Sequence, residues 1–327
     1  MAFLTIFFLL GLASLIPLLQ PQPVSRVETP TVEHPSAEPL MVAYRPTGPV
    51  EIGELEARLE QVAAGYPGIY GLAIFDPSSG KTVAVNADRS FAAASLGKLP
   101  ALMTLFRAAA RGEVNLNDII TILPSDVRAY GTGVLYKYPL GYTMTLRECA
   151  SHLIKESDNT AWNMLNRYLG SENIQAELYR IGVYSTAYVP YNTTTPSDVM
   201  LMLKKIADPT YTSPDLSAEM LDLMTNTDFE DRLPDPLPEG ARVAHKIGSY
   251  RSTFSDAGVV FPEGLHNVRD AYFIVVIVEG TSEGAARFAI QEMSLITFQF
   301  LATPGQPGAS PESARTGEAL SDLPVED

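Results

Sequence analysis

Residues 91–111 read FAAASLGKLPALMTLFRAAAR, and the fold and chemistry of the chain are organised around this stretch. Its apolar residues recur at helical spacing, which predicts a helix that begins close to Ser95. Lys98 follows three residues later, so the two side chains share a helix face, with Cβ atoms about 5 to 6 Å apart. A buried amine near the positive end of a helix dipole gives up its proton readily and can accept one from a serine hydroxyl. The pattern is compatible with an activated serine nucleophile. On its own, however, S-x-x-K is more often an N-cap serine beside a solvent-facing lysine, because the pattern arises often by chance.

The charge and the metal-binding residue types of the chain narrow the classes of function. Among 327 residues, 23 are basic and 38 acidic, and the formal charge of −15 argues against a nucleic acid partner. The single cysteine, Cys149, lies in an apolar helical pattern, so we expect a buried core residue and no intrachain disulfide. The four histidines are scattered without the spacing of a zinc site. We therefore expect no metal and no cofactor.

The two ends of the chain differ in composition from its middle. Residues 1–19 form an apolar run that is typical of an export signal or an uncleaved membrane anchor, which would place the remainder outside the cytoplasm. Residues 20–49 are rich in proline and predict an extended tether. Residues 303–327 predict a disordered acidic tail. The intervening residues, 50–302, are expected to form one folded, monomeric domain.

The order of predicted elements within this domain favours an α+β fold. Residues 68–88 read as two strands around a D-P-S-S-G turn, and β-branched strands return after residue 240. Helical patterns occupy most of the chain between them. This order predicts one antiparallel sheet built from residues 50–98 and 240–302, with an all-helical subdomain at 99–239 inserted between its two parts. We expect a cleft where the sheet and the helical subdomain meet.

Two further short motifs follow the serine along the chain. Residues 157–159 read S-D-N, which on its own is equally typical of an N-cap for the helix that follows. Residues 246–249 read K-I-G-S at the end of a predicted strand, where a glycine is also typical of a turn. Ser95 and Lys246 are both expected to line the cleft.

In this order the three motifs resemble those of class A β-lactamases and penicillin-binding proteins, which are S-x-x-K, S-D-N and K-T-G. G-T-G-V-L at 131–135 and T-T-T-P at 193–196 also look like class A landmarks. The resemblance covers residues 50–302. It implies a β-lactamase/transpeptidase-like fold, in which helices flank the antiparallel sheet, and a serine hydrolase that forms an acyl-enzyme.

The resemblance also implies a catalytic role for each matching residue. Ser95 would be the acylated nucleophile, and Lys98 would accept its proton. Ser157 would relay a proton to the departing amide nitrogen, and Lys246 would polarise that hydroxyl and attract a substrate carboxylate. Asn159 would bind Lys98 and the amide of the substrate.

Two more residues belong to the substrate site that the resemblance implies. Gly248 and Ser249 would line it, and the backbone N–H groups of Ser95 and Ser249 would form the oxyanion hole. These residue types suit attack on an amide, which needs an activated hydroxyl, donors for the developing oxyanion and an acid for the leaving nitrogen.

Two departures from the class A pattern bear on turnover. Class A enzymes carry a glutamate before T-T-T-P that activates the deacylating water, whereas residues 181–192 here contain no acidic residue. The nearest carboxylates, Glu172, Glu177 and Asp198, lie in predicted helices. In addition, Ile247 replaces the threonine of K-T-G, which removes a hydroxyl that binds the substrate carboxylate in the family.

We therefore expect a β-lactamase-like serine hydrolase that acts on a β-lactam or a peptidoglycan-like amide, with slow deacylation. Two alternatives stay open. One is a D,D-carboxypeptidase acting on peptidoglycan stem peptides, which manages without the loop glutamate. The other is a non-catalytic sensor domain that binds β-lactams or cell-wall fragments.

Overall fold

A computed structural model describes residues 52–302. The predictions for residues 1–19, 20–49 and 303–327 lie outside the described residues. Within the described range, no helix is both long enough and apolar enough to cross a membrane.

The helices are α1 (Ile52–Gly65), α2 (Lys98–Ala110), α3 (Leu146–Lys155), α4 (Asn159–Leu169), α5 (Ser171–Arg180), α6 (Pro196–Ala207), α7 (Pro214–Leu223) and α8 (Glu283–Leu301). The strands are β1 (Ile69–Asp76), β2 (Lys81–Val85), β3 (Phe91–Ala92), β4 (Ile119–Thr121), β5 (Thr143–Thr145), β6 (Thr193–Thr194), β7 (Arg242–Tyr250), β8 (Thr253–Phe261) and β9 (Tyr272–Glu279).

The main sheet joins strands from both ends of the described chain. Its order is β2-β1-β9-β8-β7, and every neighbouring pair is antiparallel. Tyr70 of β1 pairs with Val278 of β9, and Lys246 of β7 pairs with Ala257 of β8. The predicted α+β fold with an antiparallel sheet is therefore confirmed.

The central strand β9 separates two apolar cores. Ile274 and Val276 pack in a core with side chains of α1 and α8, whereas Val275 and Ile277 face the core that contains α2 and the other helices. Because both faces are covered, the strand is apolar at nearly every position, and seven of its eight residues are buried.

Helix α2 runs through the middle of the helical core. Eight of its 13 residues are buried, and they surround the helix rather than forming one stripe, as is typical of a helix with neighbours on all sides. Pro100 lies in its first turn, where the missing N–H has no intrahelical partner to lose. The buried first residue of the helix is Lys98, so the fold places an amine at the boundary between the sheet and the helical core.

Asp158 fixes the turn that precedes α4. It is the N-cap, and its Oδ1 accepts hydrogen bonds from Thr160 N at 2.7 Å and Ala161 N at 2.9 Å. Its Oδ2 accepts from Val134 N at 2.6 Å and Leu135 N at 2.8 Å. One buried carboxylate thus connects the 131–135 segment to the start of α4. It also fixes the position of the two other residues of the S-D-N motif, Ser157 and Asn159.

Two short antiparallel pairs, β3–β6 and β4–β5, lie outside the main sheet, and sequence periodicity did not predict them. Phe91 of β3 pairs with Thr194 of β6, which brings the segment before α6 against the turn that carries Ser95. Strands β4 and β5 pair over three residues each. Cys149 is fully buried, as predicted, and burial raises the pKa of its thiol.

Replacing Asp158 with alanine should lower the free energy of unfolding by about 3 kcal/mol or more, because four backbone N–H groups lose their acceptors. Asp158→Asn keeps one acceptor oxygen and should lose less. Ser213→Ala is the matched control, since that N-cap hydroxyl accepts one N–H, from Leu216, and its loss should cost about 1 kcal/mol. Urea unfolding measures all three, and a loss at 158 no greater than at 213 would contradict this role.

Candidate active site

Lys98 connects the residues predicted for catalysis. Its Nζ lies 2.9 Å from Ser95 Oγ, 3.2 Å from Ser157 Oγ and 2.8 Å from Asn159 Oδ1. Ser95 lies in a 3-10 turn over Ala94–Gly97, directly before α2. The starts of α2 and α4 therefore meet at one amine, which can donate to the amide oxygen of Asn159 and exchange protons with two hydroxyl groups.

The environment of Lys98 disfavours its charged form. Burial is the largest cause that lowers the pKa of this amine well below its usual value, and the positive charge of Lys246 lowers it further. The carboxylate of Asp158 acts in the opposite direction. A neutral amine beside Ser95 Oγ is the arrangement that general-base activation of a serine requires.

Two backbone positions around this amine have unusual conformations. Ala94 has φ of +48° and Ser157 has φ of +54°, in the left-handed region that residues other than glycine rarely adopt. Each flanks or carries a hydroxyl that meets Lys98. Such strain persists only when the surrounding structure holds it, and it is concentrated at functional sites.

Lys246 is buried at the opposite wall. It is 1% exposed, and its Nζ donates to the carbonyl oxygen of Ile247 at 3.2 Å, whereas the hydroxyl of Ser157 takes its hydrogen bond from Lys98. Burial lowers the pKa of Lys246 to about 7, with the Asp256 carboxylate opposing this shift and the Arg232 guanidinium adding to it. The side chain therefore lies behind the wall of the cleft and does not line it, contrary to the prediction.

A cavity of about 490 Å³ opens over these groups. Ser95, Ser157, Asn159 and Ser249 line it, so four of the seven predicted site residues face the same space. Gly248 has a packing role: a Cβ there would lie 2.5 Å from Ser255 Oγ and 3.1 Å from the carbonyl oxygen of residue 93, so only glycine lets β7 approach the nucleophile turn this closely.

The segment 228–232 forms another wall of the cavity, and motif analysis missed it. Its Arg232 is 2% exposed and donates to Gly248 O at 2.9 Å, Ser255 O at 2.6 Å and Ser249 Oγ at 2.6 Å. Its signal in the sequence is a lone basic residue after three acidic ones in D-F-E-D-R, which predicts nothing specific until the fold brings it to β7.

His245 connects this wall to the sheet. Its Nδ1 lies 2.9 Å from Asp256 Oδ1, and its Nε2 lies 3.3 Å from Oε1 of Glu230, a cavity-lining residue. Burial alone would lower the pKa of His245, but the carboxylates of Asp256 and Glu230 raise it to about 9. Both contacts require an N–H on each ring nitrogen, so the imidazolium is the form that the site stabilises.

Within residues 52–302, no set of three His, Cys, Asp or Glu side chains is arranged to hold a metal ion.

The segment 181–195, which corresponds to the part of class A enzymes that carries their glutamate, packs against the turn that holds Ser95 but does not line the cavity. Asn192 Nδ2 donates to Ala94 O at 3.0 Å, and the Trp162 ring centroid lies 4.9 Å from Lys98 Nζ. The carboxylates from the flanking helices are bound elsewhere. Glu177 accepts from Tyr211 and Arg180, and Asp198 accepts from Thr186.

Comparison with known proteins identifies one family. The model of the beta-lactamase enzyme family matches residues 54–301. Beta-lactamase 3 of Bacillus cereus is 29% identical over 227 residues, which cover 63% of this chain and 68% of that protein. A beta-lactamase of Bacteroides uniformis is 26% identical over 241 residues, which cover 65% of this chain and 81% of that protein.

Solved structures show the same likeness. PBP-A matches with a TM-score of 0.71 and 28% identity over 77% of this chain and 97% of its own. A variant of PBP-A, solved as an acyl-enzyme complex with penicillin G, gives the same TM-score and identity, over 77% of this chain and 98% of that chain. A beta-lactamase from Sphaerobacter thermophilus matches with a TM-score of 0.68 and 25% identity over 77% and 98%. These matches confirm the β-lactamase/transpeptidase-like fold.

The raised pKa of His245 predicts a pH dependence of stability. Protonation of His245 stabilises the fold. Its contribution to the unfolding free energy is complete below pH 6.5, the ordinary pKa of histidine, and is lost as the pH rises through its pKa in the folded protein, about 9. A shift of this size corresponds to up to about 3 kcal/mol. We expect the difference in unfolding free energy between wild type and His245→Gln, measured in urea, to shrink between pH 6.5 and pH 9. Glu230→Gln leaves Asp256 in place and should keep part of this dependence. A difference that is constant over this range would contradict the assignment.

Proposed function

Because the chain belongs to the β-lactamase enzyme family, we propose that it is a serine hydrolase in which Ser95 forms an acyl-enzyme with a β-lactam or a related amide and releases it slowly. The observation that carries this proposal is the position of Lys98 Nζ, within hydrogen-bond distance of Ser95, Ser157 and Asn159. Catalysis of this type needs the nucleophile and the base in contact before substrate arrives, and here both are on one rigid helix start.

Acylation would use each of these groups, and Lys98 would act twice, first accepting a proton and then returning it. The neutral amine of Lys98 accepts the proton of Ser95 Oγ as the oxygen attacks the carbonyl carbon, and the oxyanion is stabilised by the backbone N–H groups of Ser95 and Ser249. When the C–N bond breaks, the hydroxyl of Ser157 donates its proton to the departing nitrogen and recovers one from Lys98 through the hydrogen bond that joins them. The amine is then neutral again, and the acyl group remains on Ser95.

A second cation compensates for the hydroxyl that Ile247 removes. Arg232 is held against Ser249 Oγ by a 2.6 Å hydrogen bond and lines the cleft together with it. We assign Arg232 and the hydroxyl of Ser249 to the carboxylate of the substrate, with the charge of Lys246 behind them. The guanidinium would act chiefly through its permanent charge, because its Nη1 already donates to the carbonyl oxygens of Gly248 and Ser255.

We expect slow release of the acyl group because the segment 181–195 contains no acidic side chain. Deacylation needs a base that holds water against the ester, and the segment 181–195 supplies no carboxylate. Glu177 and Asp198 are engaged in hydrogen bonds within the helical core and at the start of α6. Loss of such a base forfeits a factor of about 10² to 10⁴ in rate.

The second candidate function is a D,D-carboxypeptidase that acts on peptidoglycan stem peptides. The acid-free segment 181–195 favours it, since such an enzyme manages without the loop glutamate. The third, a non-catalytic sensor, keeps the same site but makes no use of its base.

Both β-lactams and cell-wall peptides are met outside the cytoplasm, so we propose an extracytoplasmic, monomeric protein attached through its N-terminal segment.

Intact-protein mass spectrometry after addition of penicillin G tests the proposal. We expect a one-to-one adduct that forms quickly and persists, no adduct with Ser95→Ala, and much slower formation with Lys98→Ala, which lacks the base. Nitrocefin should give a burst followed by slow turnover.

Three other outcomes would contradict this account in different ways. An adduct together with release of D-alanine from a D-Ala-D-Ala peptide would favour the carboxypeptidase. Fast nitrocefin hydrolysis without a detectable adduct would require a deacylation base among residues not assigned to that role. No adduct and no D-alanine release would leave the sensor.

A further inference from the structure

Trp162, the only tryptophan of the chain, covers one side of the nucleophile and its base. It lies in the first turn of α4, and its ring centroid is 4.9 Å from Lys98 Nζ. The indole also packs on the turn that carries Ser95, since a Cβ placed on Gly97 would lie 3.2 Å from its Cζ2. The indole therefore stands between the Ser95–Lys98 pair and the segment 181–195.

The indole is locked from the loop side. Its Nε1 donates to Tyr188 Oη at 2.7 Å, and the Tyr188 hydroxyl donates to Asn166 Oδ1. Tyr188 is itself 3% exposed, and its backbone N–H donates to Gln175 Oε1 at 2.8 Å. The two rings meet edge to face, with an interplanar angle of 71°. Because tyrosine and backbone are both fixed, the indole has little freedom to turn away from Lys98.

The amide oxygen of Asn192 lies next to the indole. Among the described residues, the buried Oδ1 of Asn192 has no hydrogen-bond partner, although its Nδ2 donates to Ala94 O. The same oxygen lies close to Gly97, on the side where the indole packs. If the indole were removed, a water molecule in its place could donate to Asn192 Oδ1 and to the amine of Lys98, which gives it the two polar partners that a buried water needs.

We propose that Trp162, locked by Tyr188, seals the loop side of the Ser95–Lys98 pair against water and thereby determines how long an acyl group stays on Ser95. This inference rests on the proposed function. Hydrolysis of the ester requires water oxygen to bond to the acyl carbon while the bond to Ser95 Oγ breaks, with one water proton passing through Lys98 to that Oγ. An apolar ring over Lys98 keeps water from the position in which that transfer starts.

The test follows the penicillin G adduct of the full-length chain over time by intact-protein mass spectrometry, and it measures formation and loss separately. Trp162→Ala should shorten the adduct lifetime by at least about tenfold, a fraction of what a positioned base contributes. Trp162→Phe keeps an aromatic ring over Lys98 and should leave the lifetime within about twofold of wild type. If Trp162→Ala does not fold, Trp162→Leu gives a smaller side chain for the same measurement.

The two rates distinguish sealing from a structural role. A tryptophan that only supports the fold would, when replaced, slow acylation and leave the rate of adduct loss unchanged, which would overturn the inference while the proposed function stands. An adduct that persists equally in wild type and Trp162→Ala would do the same. A wild-type adduct that is lost within seconds would overturn the seal, and the absence of any wild-type adduct would remove the proposed function itself.

Discussion

The burial of one lysine amine is the constraint on which the rest of the site depends. Lys98 is the first residue of a helix within the helical core and is fully buried, so its Nζ must find its partners within the protein. Those partners are the hydroxyls of Ser95 and Ser157 and the amide of Asn159. The S-D-N turn can present two of them because Asp158 accepts four backbone N–H groups and fixes the turn from within. The arrangement of the proposed nucleophile, base and proton relay thus follows from how the hydrogen bonds of a single buried nitrogen are satisfied.

The same region brings together four buried basic side chains and two buried carboxylates. Lys98, Lys246, Arg232 and His245 are all buried there, against the buried carboxylates of Asp158 and Asp256. Burial is the largest cause that lowers the pKa of both amines; the charge of Lys246 lowers the pKa of Lys98 further, and the charge of Arg232 lowers that of Lys246. Buried charges of this kind rarely stabilise a fold more than apolar side chains would. Their presence beside a cavity therefore agrees better with the proposed catalytic site than with a role in stability.

The elements predicted from sequence share strong local signals. The β1–β2 hairpin has two strand-like segments around a D-P-S-S-G turn, β9 is a run of β-branched residues, and α6 begins at a proline after a threonine N-cap. Local order also located Ser95, Lys98 and the S-D-N turn, because their spacing along the chain is itself the signal. The two-residue pair β3–β6 was not predicted, because two residues carry no periodicity.

The walls of the cleft could not be predicted for a related reason. Arg232, His245 and Trp162 each look unremarkable in their own segments, and their importance comes from contacts across the fold: to Ser249, to Glu230 and to Lys98. The prediction for Lys246 was partly wrong for the same cause. Its strand position was correct, but packing withdraws its side chain behind Ile247 and Ser249, which present the surface of β7 to the cavity.

The protonation of Lys98 is the most direct test of this account. With lysine labelled at the ε carbon, an NMR pH titration can follow each amine, and Lys98→Met identifies the resonance that belongs to Lys98. We predict that this amine titrates well below the ordinary value of 10.5, because burial is the largest cause of its shift. A midpoint at or above 10.5 would show that Lys98 is a cation in the free protein, and it would contradict its role as the base that activates Ser95.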